Sequence, residues 1–412
     1  MKDVYLDGAS NTPLSRAALK AMKPFLSNKH VGNGVSVHSF GVKSGMAIEK
    51  SRRVMSDLLG VSSKELFFTS GATESNNWAI WSEAIKWREQ NPTGGHIICS
   101  IFEHDSVIKC CEEVGKVFGI DVSYIPKPNN QPGQRREEED ESLRGIVTEK
   151  QVKDEMVARI KEKGILDTFL VCVMAVNNEL GTTNENEVGL ITQYTKSYQI
   201  ATLVDCTQAL SCGGDEICLG RRFPEATYMS FSAHKFYGPT GVGGLIARAE
   251  LRPLISGGSQ EQGLRGGTTN TAGVVGMCAA LKEMSEHDYA PLYSELTSYL
   301  CVQLLKHVRG AFLNVFGNPN IPIVSINCSK IMMAYSLADM IDAFGISVSA
   351  GSACDSNHNE TVGEFNGSHV LKALGLTEED IRNTIRVSYT RYTTKKDIDK
   401  LIKALKRIVE NY

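Results

Sequence analysis

The chain has 412 residues, 42% hydrophobic and 22% charged, a balance that excludes a disordered polypeptide and suffices for two or three packed units. Its 44 basic and 47 acidic residues leave a formal charge of −3, too little positive field for a nucleic-acid or anionic-membrane binder. The longest apolar runs, such as 169–176, are too short to span a bilayer, and the start Met1-Lys2-Asp3-Val4-Tyr5-Leu6-Asp7 lacks secretory or transit features. Eleven cysteines form an odd set with no Cys-x-x-Cys spacing, which argues against a disulfide framework and a zinc site. A reduced, cytoplasmic protein is expected, with no metal, nucleic-acid or membrane partner.

From about residue 50 to 250, strand-like apolar runs alternate with helical patterns, the signature of an α/β unit on a largely parallel sheet. Several of these runs end in polar residues. The run 65–69 gives way to Ser70-Gly71-Ala72-Thr73-Glu74, and 96–99 leads to Glu103-His104. The run 169–176 ends at Asn177-Asn178-Glu179, 201–204 at Asp205, and 226–231 at Ser232-Ala233-His234-Lys235. Ligands of open α/β sheets bind beyond the carboxyl ends of the strands, so these termini should converge on one crevice. Residues 129–144, acidic and almost without apolar side chains, read as an exposed insertion. Past residue 255 a Gly-rich stretch leads into helical sequence, a strand near 321–327 and a last helix near 395–411. Residues 15–255 are read as the large domain, and 1–14 with 256–412 as a smaller one.

Lys235 follows a buried strand into a crevice, where a desolvated amine suits a Schiff base with an aldehyde cofactor such as pyridoxal phosphate (PLP). The turn at Ala72 and Thr73, opening a helix, offers backbone N–H groups and a hydroxyl to an anion, and Ser232 with His234 offers a second donor set. Capping of that helix by Thr73 or Ser75 is the simpler use of the same residues. Asp205 at a strand end would match a protonated pyridine nitrogen. Asn178 and Gln208 are hydrogen-bonding candidates for the cofactor's oxygen or the substrate, and His104 for stacking and proton transfer. Cys354, among small residues in Ser347-Val348-Ser349-Ala350-Gly351-Ser352-Ala353-Cys354, is a candidate nucleophile. Arg386, in an apolar strand, calls for a bidentate carboxylate partner such as an amino acid.

Taken together, these motifs resemble the NifS/IscS-type cysteine desulfurases, class V members of the aminotransferase superfamily. The resemblance covers Tyr5-Leu6-Asp7 with Thr12-Pro13, Thr69 to Asn77, Glu103-His104, Val176 to Glu179, Asp205 with Gln208, Ser230 to Lys235, Arg265 with Gly267-Thr268, and Gly351 to Cys354. It implies the α/β fold type I architecture of PLP-dependent transferases, with a mostly parallel seven-stranded sheet and a smaller α+β C-terminal domain. It further implies that Lys235 binds PLP covalently, that Ala72, Thr73, Ser232 and His234 hold the phosphate, and that Thr268 reaches in from the second subunit of a homodimer. By the same resemblance His104 stacks on the ring, Asp205 pairs with its nitrogen, Asn178 and Gln208 bond its oxygen side, and Arg386 with Asn178 binds the substrate. Cys354 is then the group that takes sulfur from L-cysteine, leaving alanine, and hands it to a protein acceptor such as an iron–sulfur scaffold. Gly8-Ala9-Ser10-Asn11 departs from the family's usual residues at the pocket edge, and the stretch from Cys354 to Gly367 is longer than in bacterial housekeeping enzymes. Its Cys-x-Ser-x-His pattern also resembles selenocysteine lyases, so L-selenocysteine is the alternative substrate. An aminotransferase or β-lyase would have no need of Cys354, and an inactive scaffold no need of Lys235, His104, Asp205 and Cys354 together.

Overall fold

The computed structural model describes residues 3–28, 30–127, 144–328, 336–350 and 367–411. Twelve strands are present among them. They are β1 (Val4–Tyr5), β2 (Leu66–Thr69), β3 (His96–Ser100), β4 (Asp121–Ile125), β5 (Thr168–Met174), β6 (Ala201–Asp205), β7 (Tyr228–Ser232), β8 (Gly243–Ala247), β9 (Ala311–Leu313), β10 (Ile323–Cys328), β11 (Ile346–Ser347) and β12 (Thr384–Ser388).

Seven of them form one sheet in the order β2-β8-β7-β6-β5-β3-β4, with β8 alone antiparallel to its neighbours. The centre is buried on both faces, which is why β5 reads Thr-Phe-Leu-Val-Cys-Val-Met without polar alternation. Alternate residues still serve different layers. Leu170 and Cys172 pack with Trp78 and Ala79 of helix Ala72–Gln90 and Val107 and Val114 of helix Asp105–Phe118, while Val171 and Val173 belong to the larger core on the other face.

The C-terminal part is a three-stranded antiparallel sheet, β12-β10-β9, with helix Lys395–Asn411 burying Ile398, Leu401, Ile402, Leu405 and Ile408 at helical spacing. That helix has the bounds its sequence pattern implies. β1 pairs in parallel with β11, and a bridge joins Asp7 to Ser388, so the N-terminus is built into the C-terminal part. From there the chain runs toward the carboxyl ends of the large sheet. Thr12 N–H donates to the His234 carbonyl at 2.9 Å, and Tyr237 N–H to the Thr12 hydroxyl at 2.7 Å.

No helix among the described residues is long and apolar enough to cross a membrane. The described cysteines form no disulfide, and no cluster of metal-ligand type is found among the described residues. The acidic stretch 129–144 lies outside the described residues except for Arg144, and so does Cys354.

Candidate active site

Beyond the carboxyl ends of β2, β3, β5, β6 and β7 lies a cavity of about 250 Å³. Ala72, Thr73, His104, Asn178, Asp205, Gln208, Ser232, His234, Lys235 and Arg386 all line it.

One end gathers the donors that an anion would need. Gly71 adopts φ +152°, a conformation suited to glycine, and lets helix Ala72–Gln90 start directly after β2. No side chain of this helix caps it: neither Thr73 nor Ser75 fills the role that local sequence suggests. The Ser232 hydroxyl, 160 positions away, accepts from Ala72 N–H at 2.7 Å instead. The positive end of a 19-residue helix thus faces Thr73, Ser232 and His234. Burial, then the nearby Lys235 charge, push His234 down to about 4, so it is a neutral hydrogen-bonding ring at neutral pH. Glu74 braces the turn. It accepts from Ser70 N–H at 2.7 Å and takes a two-point contact from Arg265 at 2.7 and 3.0 Å. Burial raises the Glu74 carboxyl, but the bonds from Arg265 and Ser70 outweigh it and hold the group below the usual range.

The opposite end is anchored on β6. Asp205, 5% exposed, accepts from Asn76 Nδ2 at 3.0 Å through Oδ2 and from Thr207 N–H at 2.9 Å through Oδ1. Each oxygen keeps a second lone pair for a further donor. Asn76 Nδ2 also donates to Ser106 Oγ at 3.0 Å, and Ser106 Oγ lies 2.9 Å from His104 Nδ1. Because His104 Nδ1 also accepts from Ser106 N–H at 3.1 Å, the ring's orientation is set by helix capping. Glu103, buried next to His104, is pushed well above the carboxylate range by burial and then by the Asp205 charge.

The N-terminal segment closes the third side. Lys235 Nζ donates to the carbonyls of Ala9 and Ser10 at 2.6 and 2.8 Å, and Gln208 Nε2 shares the Ala9 carbonyl at 3.0 Å. Arg386, 2% exposed, donates through Nη2 to Asp7 Oδ1 at 2.8 Å and Ser10 Oγ at 2.6 Å, and through Nη1 to the Asn178 carbonyl at 3.0 Å.

Residues 4–401 match the family model for class-V aminotransferases. The chain belongs to the class-V aminotransferase family. It is 34% identical to the cysteine desulfurase IscS of Dictyoglomus turgidum, covering 99% of this chain and 95% of that protein. It is 32% identical to the cysteine desulfurase IscS of Methanosarcina thermophila, over 99% and 92% respectively. A solved NifS-like protein superposes with TM-score 0.79 at 30% identity over the full length of both chains. A structure described as SspA in complex with cysteine gives 0.72 at 29% identity, covering 95% of this chain and all of that one.

Within this class-V chain one described residue among those proposed from sequence stands apart from the cavity: Thr268 is exposed and does not line it. Cys354 falls outside the described residues. Asn76, Ser106, Asp7 and Ser10 were not singled out for roles by sequence reasoning. Asn76 had a usable signal, since it follows Thr73 by three positions and therefore shares its helix face.

Proposed function

We propose that this cavity binds PLP at Lys235 and desulfurates L-cysteine to L-alanine, the sulfur leaving on Cys354. The observation that carries the reading is the convergence, in one cavity, of a lysine amine, a helix-terminal anion site and a buried carboxylate with lone pairs to spare. The donor set fits the cofactor. Ala72, Thr73, Ser232 and His234 would hold the phosphate, His104 would lie against the ring, Asp205 would accept a hydrogen bond from its protonated nitrogen, and Gln208 with Asn178 would serve the oxygen side. Bound PLP supplies an electron sink for a carbanion at the substrate Cα.

The chain's own groups do the rest. Arg386 orients the substrate carboxylate, and the Lys235 amine takes and returns the Cα proton. The Cys354 thiolate attacks the substrate sulfur; the Cβ–S bond breaks, an S–S bond forms, and Cβ gains a proton. L-cysteine plus enzyme thiol thereby become L-alanine plus enzyme persulfide. An acceptor protein, such as an iron–sulfur scaffold, would then take the terminal sulfur.

A homodimer belongs to the same reading. Thr268 faces solvent in the single chain, and Leu19, Leu26 and Met46 are exposed on elements that pack beside helix Thr271–Ser285, which follows Thr268. Light scattering should give twice the chain mass. The activity is tested by reconstituting the protein with PLP and quantifying alanine from L-cysteine; absence of alanine would refute it.

A further inference from the structure

The Arg386 guanidinium has two edges able to grip a carboxylate at two points, Nε with Nη2 and Nη1 with Nη2. Both edges need Nη2. Nη2 is occupied, donating to both Asp7 Oδ1 at 2.8 Å and Ser10 Oγ at 2.6 Å. Ser10 in turn donates its hydroxyl to the same Asp7 oxygen at 2.8 Å, closing a three-membered ring of polar contacts. Nη1 spends one hydrogen on the Asn178 carbonyl, and Nε has no hydrogen-bond partner among the described residues. An incoming substrate carboxylate therefore finds single donors but no vacant two-point edge. The side chain of Asp7 is 20% exposed against 3% for Arg386, so water can take over Asp7 when it lets go, while Arg386 stays buried.

We propose that Asp7, with Ser10, is an internal competitor for the substrate carboxylate: an amino-acid substrate docks by taking the Nη2 edge of Arg386 from them, so these two residues set substrate affinity. The inference rests on the reading of Arg386 as the substrate clamp. It also assigns a role to the departure at Gly8-Ala9-Ser10-Asn11, because Ser10 brings both the hydroxyl on Arg386 and a carbonyl on Lys235. A fixed brace is the opposite possibility. If Asp7 only held Arg386 in place, removing its charge would loosen the clamp and weaken binding.

The two roles differ in sign, which makes the test direct. The PLP-reconstituted holoenzyme, Asp7→Asn and Ser10→Ala are compared for KM with L-cysteine and for the Kd of L-alanine, read by calorimetry without turnover. Asp7→Asn should lower both constants by roughly two- to fivefold, the size of a partly exposed charge pair, with the change in KM rather than kcat. Ser10→Ala should move them the same way by less. Constants that rise or stay unchanged would overturn the proposal. Should Asp7→Asn lack the wild-type melting profile, Ser10→Ala decides alone by the same signs. A wild type that binds alanine but makes none from cysteine would refute the desulfurase reading instead, and the alanine Kd series would still decide the competitor role.

Discussion

Replacing Asp205 by Asn separates the fold's need for this side chain from the cofactor's need for its charge. In the wild type both carboxylate oxygens accept an N–H, from Asn76 at 3.0 Å and Thr207 at 2.9 Å. In Asp205→Asn the new amide nitrogen cannot face Thr207 N–H, so it must face Asn76, which then has to flip and present its own Oδ1. That oxygen is buried without a partner in the wild type, so the flip is feasible. The flipped Asn76 also asks the Ser106 hydroxyl to donate, and Ser106 can no longer donate to His104. The net loss is about one or two hydrogen bonds, roughly 1–2 kcal/mol of apoprotein stability. A protonated ring nitrogen left beside an amide loses its buried counterion, for which about 3 kcal/mol is the low end of measured cases. PLP affinity should therefore fall roughly a hundredfold. Titration of apoprotein with PLP by absorbance, with urea denaturation of the same samples, reads the two effects separately. A PLP Kd within about threefold of wild type would refute the assignment of Asp205 to the ring nitrogen.

Lys235→Ala should abolish turnover and leave PLP removable by dialysis after borohydride treatment, whereas the wild type keeps it; covalently retained PLP in the variant would place the cofactor on another lysine. Cys354→Ser should retain PLP and lose alanine formation from L-cysteine, while a rate equal to wild type would mean that Cys354 is not the sulfur acceptor. His96, closed in by Thr168 and Ser123 hydroxyls at 2.8 and 2.9 Å, is pushed from 6.5 down to about 4 by burial and then by Arg159. The native state therefore binds fewer protons than the unfolded chain between those values, and stability should fall as pH drops from 6.5 toward 4. His234 adds to the same slope. Urea midpoints from pH 7.5 to 4.5 check it, with a flatter slope expected for His96→Gln; a midpoint that rises on acidification contradicts it.

Strand ends were readable from sequence because a short apolar run followed by polar residues is a local pattern. Lys235, Asp205, His104 and Asn178 were placed on that signal, and all four line one cavity. The reversed direction of β8 was not readable, since local propensity does not distinguish parallel from antiparallel pairing. Contacts across long separations left no trace either. Ser232 capping Ala72 replaced the local capping that Thr73 or Ser75 suggested, and the union of Asp7 and Ser10 with Arg386 spans nearly the whole chain. Both depend on where the folded backbone brings distant side chains, and no spacing rule encodes that.

The proposed reaction moves sulfur from L-cysteine onto one thiol of this chain. A single-turnover reaction of PLP-loaded protein with L-cysteine, without acceptor, measures it directly: alanine is quantified, and the alkylated persulfide is located by mass spectrometry of peptides. One alanine per persulfide, with the extra sulfur on the peptide containing Cys354, is predicted. Alanine without persulfide, or persulfide on another cysteine, would contradict the account.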